Sequence, residues 1–359
     1  MTALPPHLRM RIVDREQVET IDPQAWDRLA DRSRTANPFY ERWNLIAALN
    51  HLDKDETIFI VTVYEGERLV CLFPALLKRK AGPFRYLSVW QFGDCLVSDV
   101  LCEPGVPLPA VLDHLMDMFK VTVLISSRHT DGGFDVLPDA FFCQLQSERK
   151  AVIEAISWDE YQARVPGKHR KENKRIVNRL IQKEHAKYLT SDVQITARWF
   201  PDYLRMERES WKSVSGGSIY SEECRRNYFA EALERGERQN KVEFQGIYID
   251  GDPVAMSFRF KAQRNAYEIM TAYSSRYKHL YPGVVLELLN LDGIFKDRFA
   301  LVDSCNYNNK VVDRVWPDRI TISRTVVFGR SAVGRIERWG YRQFRRFRAG
   351  KRTVRLICD

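Results

Sequence analysis

Two hydrophobic periods alternate along the chain. Apolar residues recur at helical spacing over residues 22–31 (Trp26, Leu29) and 39–49 (Trp43, Ile46, Leu49), which predicts two amphipathic helices. Asp22-Pro23 and Asn37-Pro38 mark their starts, because Asp or Asn caps free N–H groups and Pro fits the first helical turn. A short strand-like piece, 10–13, precedes them. The period then drops to two over 57–64 and 69–77, joined by Glu65-Gly66-Glu67, which predicts a hairpin. Residues 86–92 and 95–101 read as further strands, 110–119 as a helix, 121–125 as a buried strand, 134–142 as a helical or turn segment, and 151–156 as a strand.

The character changes at Ser157. Residues 158–165 predict a short helix, interrupted by Pro166-Gly167. Residues 168–187, KHRKENKRIVNRLIQKEHAK, predict one long helix whose narrow apolar stripe (Ile176, Val177, Leu180, Ile181) is surrounded by Lys and Arg. Such a helix is either a solvated bridge or a basic surface for an anionic ligand. The earlier layout then recurs. A strand is predicted over 193–197, a helix over 199–211, a flexible stretch over 213–217 and a helix over 222–235 capped by Ser221. A hairpin, 242–249 with 253–260, follows around Asp250-Gly251-Asp252, and then a strand, 267–273. Helix–helix–hairpin–strand–helix–strand is thus predicted twice, in order of elements though not in residue identity.

Residues 267–310 concentrate the candidate chemistry. The strand 267–273 leads into a polar, basic and aromatic stretch, 274–281. Pro282-Gly283 open a helix over 284–295 with Val285, Leu288, Leu289, Leu291 and Phe295 on or near one face. A short apolar run, 299–302, ends at Asp303; a polar cluster, 306–313, and a last strand, 319–328, follow. A loop feeding a helix N-terminus is an anion site, because free N–H groups and the helix dipole point at it. Arg276, Lys278 and His279 sit beside that end, so the expected ligand is anionic, a phosphate in the first instance.

Composition narrows the class. A chain of 359 residues has room for two domains of about 100–200 residues each. Apolar content of 45% and charged content of 29% fit an ordinary globular protein. No apolar run reaches the roughly 18–20 residues of a membrane span, and the opening MTALPPHLRMRIVDRE lacks the apolar core of a signal peptide, so a cytoplasmic location is expected. The seven Cys are scattered, odd in number and without a CxxC, which argues against a disulfide framework or a zinc site; no metal is expected. Most read as core residues; Cys305, in the polar cluster, is a minor candidate nucleophile. Walker, GxSxG, HExxH and GxGxxG motifs are absent, which removes the P-loop, serine hydrolase, zincin and dinucleotide readings.

The net charge of +9 is uneven: residues 334–359 hold eight Arg and one Lys against Glu337 and Asp359, a net of +7. That excess favours an anionic partner: lipid, nucleic acid or a phosphorylated substrate. Residues 333–348 predict a helix with Val333, Ile336, Trp339, Phe344 and Phe347 on one side and Arg335, Arg338, Arg342 and Arg345 opposite. The expectation is a helix packed on the protein by its apolar side. The alternative is a helix lying in an anionic membrane interface, which would make the protein peripheral to the inner face of the membrane.

The DG-turned strand pair, aromatic third strand, loop, PG-led helix, polar cluster and last strand together resemble the GNAT acyltransferase superfamily. Within it, Tyr273, Tyr281-Pro282-Gly283 with Leu286, Asp303, Asn306 to Lys310, and Trp316 resemble the cellulose-biosynthesis CelD/BcsL-type acetyltransferases, which are related to the FemAB peptidoglycan aminoacyltransferases. The resemblance covers residues 168–328 and implies an α+β (mixed α/β) fold of two GNAT-like lobes, each a mostly antiparallel sheet flanked by helices. The implied division is a degenerate lobe over 1–157, an acyltransferase lobe over 158–330 and a basic tail over 331–359.

The resemblance further implies an N- or O-acyltransferase that moves an acyl group, expected to be acetyl, from acyl-CoA to an amine or hydroxyl of a sugar or an envelope or exopolysaccharide precursor, the acceptor being a sugar or a lipid-linked molecule. The donor would meet Arg276, Tyr277, Lys278, Tyr281, Pro282, Gly283 and Val284. The family's loop reads Gln/Arg-x-x-Gly-x-Gly/Ala, and His279 and Tyr281 stand where it has the small residues that let the backbone approach a pyrophosphate. An aminoacyl-tRNA donor therefore stays open, as does a non-catalytic binding module on the same scaffold. Acyl transfer needs a base for the acceptor proton and an acid for the leaving thiolate. Asp303 and His279, or Glu268 through a water, are the candidate bases; Tyr273 and Tyr307 are the candidate acids. Lys168, Arg170, Lys171, Lys174, Asn306 and Lys310 are the candidate acceptor contacts, and Lys310 is expected to pair with Asp303 or Asp313.

Overall fold

The computed structural model describes residues 4–54, 57–79, 85–130, 142–154, 157–208, 218–307 and 312–355. In chain order its first elements are β1 (Leu8–Asp14), α1 (Pro23–Arg32), α2 (Arg42–Leu52), β2 (Phe59–Glu65), β3 (Arg68–Arg79), β4 (Arg85–Val89), β5 (Leu101–Cys102), α3 (Leu108–Met118) and β6 (Val123–Thr130). Next come β7 (Phe142–Glu154), α4 (Trp158–Arg164), α5 (Gly167–Asn178), β8 (Lys187–Ser191), α6 (Phe200–Arg208) and α7 (Glu223–Glu237). The chain closes with β9 (Val242–Ile249), β10 (Asp252–Ala262), β11 (Asn265–Tyr273), α8 (Pro282–Asp297), β12 (Leu301–Tyr307), β13 (Asp318–Phe328) and α9 (Ala332–Arg355).

These elements form two compact units. One holds Met1–Tyr40, Glu56–Glu148 and Ile322–Asp359; the other holds Glu41–Asp55 and Arg149–Thr321. In the first unit the strand order is β1-β2-β3-β4-β6-β13, with β5 paired to β3. Every neighbour is antiparallel except β4–β6, which is parallel. In the second the order is β7-β12-β11-β10-β9-β8, again antiparallel except for the pair β11–β12. Parallel neighbours cannot be joined by a tight turn and need a crossover, which α3 supplies in the first unit and α8 in the second. The fold is therefore mixed α/β, with mostly antiparallel sheets flanked by helices, and the predicted element order does occur twice. Among the described residues no helix is long and apolar enough to cross a membrane.

In the second unit both sheet faces are covered. Phe258 and Phe260 of β10 point to one face, where Phe258 meets Tyr203, Phe229 and Phe244 with ring centroids 5.4, 5.6 and 5.0 Å away. Trp43 of α2 stands edge-on to Phe260 at 4.9 Å. Ser257 and Arg259 alternate to the opposite face, under α8. There Asn290 Nδ2 donates to Ser257 Oγ (3.2 Å) and Tyr188 Oη donates to Asn290 Oδ1 (3.1 Å). Val285 and Leu286 of α8 pack with Ile176 and Leu180 beyond it, while Leu291 and Ile294 pack with Tyr161, Val302 and Trp316. This packing fixes α8 against the sheet along its whole length and so fixes where its N-terminus points.

Several local expectations change. The basic helix does not run to residue 187: α5 ends at Asn178, a π-helical turn covers Arg179–Lys183, and Lys187–Ser191 forms the edge strand β8. The strand predicted over 193–197 is a π-helical turn, Ile195–Trp199, which buries both Ile195 and Trp199, four residues apart. Asn37 caps a turn through Phe39 N (2.9 Å), and the helix begins only at Arg42. Ser221 does not cap α7; its hydroxyl donates to Ser218 O (2.9 Å) and Glu222 occupies the cap position. Of the strand predicted over 95–101, only Leu101 is paired, with Cys102 after it. On the predicted apolar side of α9, Val333, Ile336 and Trp339 are exposed rather than packed. The expected segments 134–141 and 213–217 lie outside the described residues.

Candidate active site

The site begins with a divergence of strands. β11 and β12 run parallel but pair only from Asn265 opposite Leu301 to Tyr267 opposite Asp303. β11 also carries an extra residue at Ile269, where its pairing with β10 slips between Phe258 and Arg259. Such a bulge re-aims the side chains on either side of it, and the consecutive residues Glu268, Ile269, Met270 and Thr271 all line one cavity of 790 Å3. β12 departs by its own irregularity. Cys305 takes a φ of 56°, a conformation that non-glycine residues hold only when their surroundings impose it. Asp303 Oδ1 accepts the Cys305 N–H (2.7 Å), its Oδ2 pairs with Lys150 Nζ (2.7 Å), and Ser304 Oγ donates to Ala151 O (2.7 Å). These buried contacts hold the bend that puts Asn306 at the cavity wall.

The second wall is the entry to α8. Ser275–Leu280 forms a 3-10 turn, Tyr281 takes a left-handed φ of 56°, and Pro282 starts the helix. Val285 N–H already reaches Tyr281 O (3.0 Å), whereas the first-turn N–H groups of Gly283 and Val284 have no intrahelical acceptor. Gly283 is held to its lack of a side chain by Tyr273: a Cβ there would lie 3.3 Å from the tyrosine ring. Lys278, His279, Tyr281, Gly283 and Val284 all line the cavity. Exposed Lys278 and the free N–H groups make this end attractive to an anion.

The deeper wall is acidic. Glu268, buried, pairs with Arg259 Nε (3.0 Å); burial still holds its pKa above the ordinary carboxylate range against the pull of Arg259. Glu287, one turn inside α8, has its pKa pushed up to about 7. Burial is the main cause, the indole N–H of Trp316 at 3.0 Å opposes it, and the charge of Glu268 adds to it. The cavity therefore joins an anion-binding end to a carboxylate poised to exchange a proton near neutrality.

Of the residues singled out from the sequence, this cavity brings together Glu268, Tyr273, Lys278, His279, Tyr281, Pro282, Gly283, Val284 and Asn306. Asp303 is not among its lining residues: it is fully buried, with Lys150 as its partner, and Asp313 pairs with Arg319. Lys310, expected to pair with Asp303 or Asp313, lies outside the described residues. Tyr307 ends β12 opposite Lys150. Arg276 stacks over the Tyr277 ring (5.3 Å), and Tyr277 packs on the core beside α5; neither lines the cavity. Lys168, Arg170, Lys171 and Lys174 are exposed on α5, and Arg170 donates to Gln162 O (2.8 Å). Cys305 is buried, and burial together with Asp303 pushes its thiol well above the ordinary range, which keeps it protonated and unsuited to nucleophilic attack. Glu287 is a cavity-lining carboxylate that sequence reasoning missed. Its signal was a single carboxylate inside an otherwise apolar run, VVLELLNL.

Residues 167–308, within the second unit, match the family model described as an acetyltransferase (GNAT) domain. No curated protein sequence matches the chain. Among solved structures, FemX is similar with a TM-score of 0.57 at 8% identity, covering 86% of this chain and 96% of that one. A conserved protein of unknown function from Bacteroides thetaiotaomicron is similar with a TM-score of 0.52 at 13% identity, over 89% of this chain and 99% of that one. The C-terminal domain of a putative lysylphosphatidylglycerol synthetase from Agrobacterium fabrum has a TM-score of 0.52 at 8% identity, over 88% and 94%. At these identities the likeness is one of fold.

Proposed function

We propose that the second unit transfers an acyl group from acyl-CoA, acetyl-CoA in the first instance, to an amine or hydroxyl of a sugar or envelope precursor, as the CelD/BcsL-type acetyltransferases that the sequence resembles would do. The reading is carried by one observation: a single cavity has a basic helix N-terminus at one end and a near-neutral carboxylate, Glu287, in its wall.

The residues suit such a donor. The N–H groups of Gly283 and Val284, with Lys278, hold the phosphates. Among the described residues β11 and β12 pair only as far as Tyr267 opposite Asp303, and the divergence beyond that point gives the extended arm of the donor room beside β11. Glu287, as carboxylate, takes the proton from the acceptor nitrogen or oxygen while that atom attacks the carbonyl carbon. The oxyanion is stabilised from the β11 wall of the cavity, at the bulge around Ile269. The carbon–sulfur bond then breaks, and Tyr273 gives its phenolic proton to the departing thiolate. Asn306 orients the acceptor at the opposite wall, and the exposed cations of α5 (Lys168, Arg170, Lys171, Lys174) attract acceptors that carry phosphate. The first unit, with the same order of elements, serves as the degenerate lobe of a tandem arrangement.

The bulky His279 and Tyr281 favour a second donor, an aminoacyl-tRNA, since they crowd the turn where a pyrophosphate would meet backbone. Calorimetry with coenzyme A, acetyl-CoA and tRNA separates the two, joined to a thiol-release assay over a panel of amino sugars and sugar alcohols. Acetyl-CoA-dependent thiol release that needs a sugar acceptor supports the first reading. Tight tRNA binding with a steep salt dependence, and no response to coenzyme A, supports the second.

A further inference from the structure

In the first unit, α9 turns its apolar stripe away from the protein. Val333, Ile336 and Trp339 are 56, 68 and 65% exposed. Their three-residue spacing sets them on one stripe, roughly 120° wide at 3.6 residues per turn. The helix is held by its other side. Tyr341 lies against Phe328, ring centroids 5.9 Å apart, and Gly334 is tucked onto Gly329, where any Cβ would strike the Gly329 carbonyl. The neck is fixed as well: Arg330 Nε pairs with Asp113 (2.8 Å), and Ser331 Oγ accepts the Gly334 N–H (3.1 Å). The exposure of the stripe therefore follows from how the helix is anchored. Arg335 and Arg342 are exposed along its border, in a segment whose net charge is +7 over residues 334–359.

We infer that this stripe is a membrane-docking surface and that its occupant is an anionic bilayer. A helix with Trp and aliphatic residues on one side, Arg beside them and low overall hydrophobicity lies in the plane of a lipid interface, its apolar side among the acyl chains and its cations at the headgroups. The charge decides against a second copy of the chain, since two segments of +7 would face each other. The apolar stripe decides against nucleic acid, which would engage the arginines and leave Ile336 and Val333 in water. Docking here does not depend on the reading of the cavity in the second unit.

The test is co-sedimentation of the full chain with vesicles of phosphatidylcholine alone and of phosphatidylcholine mixed with phosphatidylglycerol. The wild type is expected to sediment with the mixed vesicles and to stay in solution with the neutral ones. Ile336→Glu with Trp339→Glu, both at exposed positions, is expected to abolish sedimentation with an unchanged melting temperature. Arg335→Gln with Arg342→Gln is expected to weaken it roughly thirtyfold, the loss of two interfacial cations. Mixed-vesicle binding that survives the double Glu variant would overturn the inference. So would a wild type that ignores both vesicle types, whether it instead forms a dimer lost in that variant or binds duplex DNA.

Discussion

The indole N–H of Trp316 donates to Glu287 Oε2 over 3.0 Å, and this bond ties the segment after the polar cluster to the carboxylate in the cavity wall. It holds Glu287 in one orientation and favours its ionised form against burial. The pair links a residue that the family resemblance picked out to one that it did not.

If Glu287 is the base, Glu287→Gln lowers kcat/KM by on the order of 10²–10⁴-fold with any acceptor that supports thiol release. The wild-type rate rises with pH through about 7, where the carboxylate ionises, and the variant's residual rate lacks that limb. Coenzyme A affinity, measured separately, stays within a few-fold of wild type.

The same shift has a consequence for stability. The folded pKa of Glu287 lies above its unfolded value of 4.5, so its contribution is fully present below pH 4.5 and is lost as pH rises through about 7. Glu287→Gln cannot ionise. Its melting temperature should therefore gain on wild type between pH 5 and pH 8, as followed by calorimetry.

Trp316→Phe keeps the packing and removes the hydrogen bond. Without that donor the ionised carboxylate is less favoured, so the pH limb of the reaction should move upward from about 7. A purely structural role for Trp316 would lower stability and leave the pH profile in place.

Lys150 and Asp303 form a buried pair at 2.7 Å that braces the bend in β12. Removing either charge strands the other, so Lys150→Met or Asp303→Asn should cost about 3–5 kcal/mol in denaturant unfolding. Joint replacement by apolar residues should recover most of that loss.

Where local chemistry dictates geometry, the fold was legible. Pro282 at the first helical position marks the start of α8, and Asp250-Gly251-Asp252 marks the hairpin between β9 and β10. Asp22 caps α1 through Gln24 N (3.0 Å), as its position before Pro suggests. Elements decided by distant partners were not legible. The basic helix reads as running to Lys187, yet Lys187–Ser191 forms an edge strand once β9 offers it a partner. Val193 and Ile195 alternate like a strand, yet burial selects Ile195 with Trp199 instead. In the site, the basic turn before a helix start was readable because charge and Pro282 adjoin in sequence. The direction of each side chain was not: Arg276 stacks on Tyr277 while Lys278 and His279 line the cavity. Asp303 looked like a base because it ends an apolar strand, but its partner, Lys150, is 153 residues away in sequence and could not be anticipated from spacing. Glu287 was hidden for the converse reason, since a lone Glu on a helix reads as a surface residue until Trp316 and Glu268 are brought beside it.

The central claim is that the cavity between β11, β12 and the start of α8 binds an acyl-CoA. Calorimetric titration of the full chain with acetyl-CoA, on wild type and on Lys278→Glu, tests it most directly. Binding by the wild type, weakened at least about tenfold by the charge reversal while the melting temperature holds, is the predicted result. Absence of binding by the wild type, or equal affinity in the variant, would contradict it.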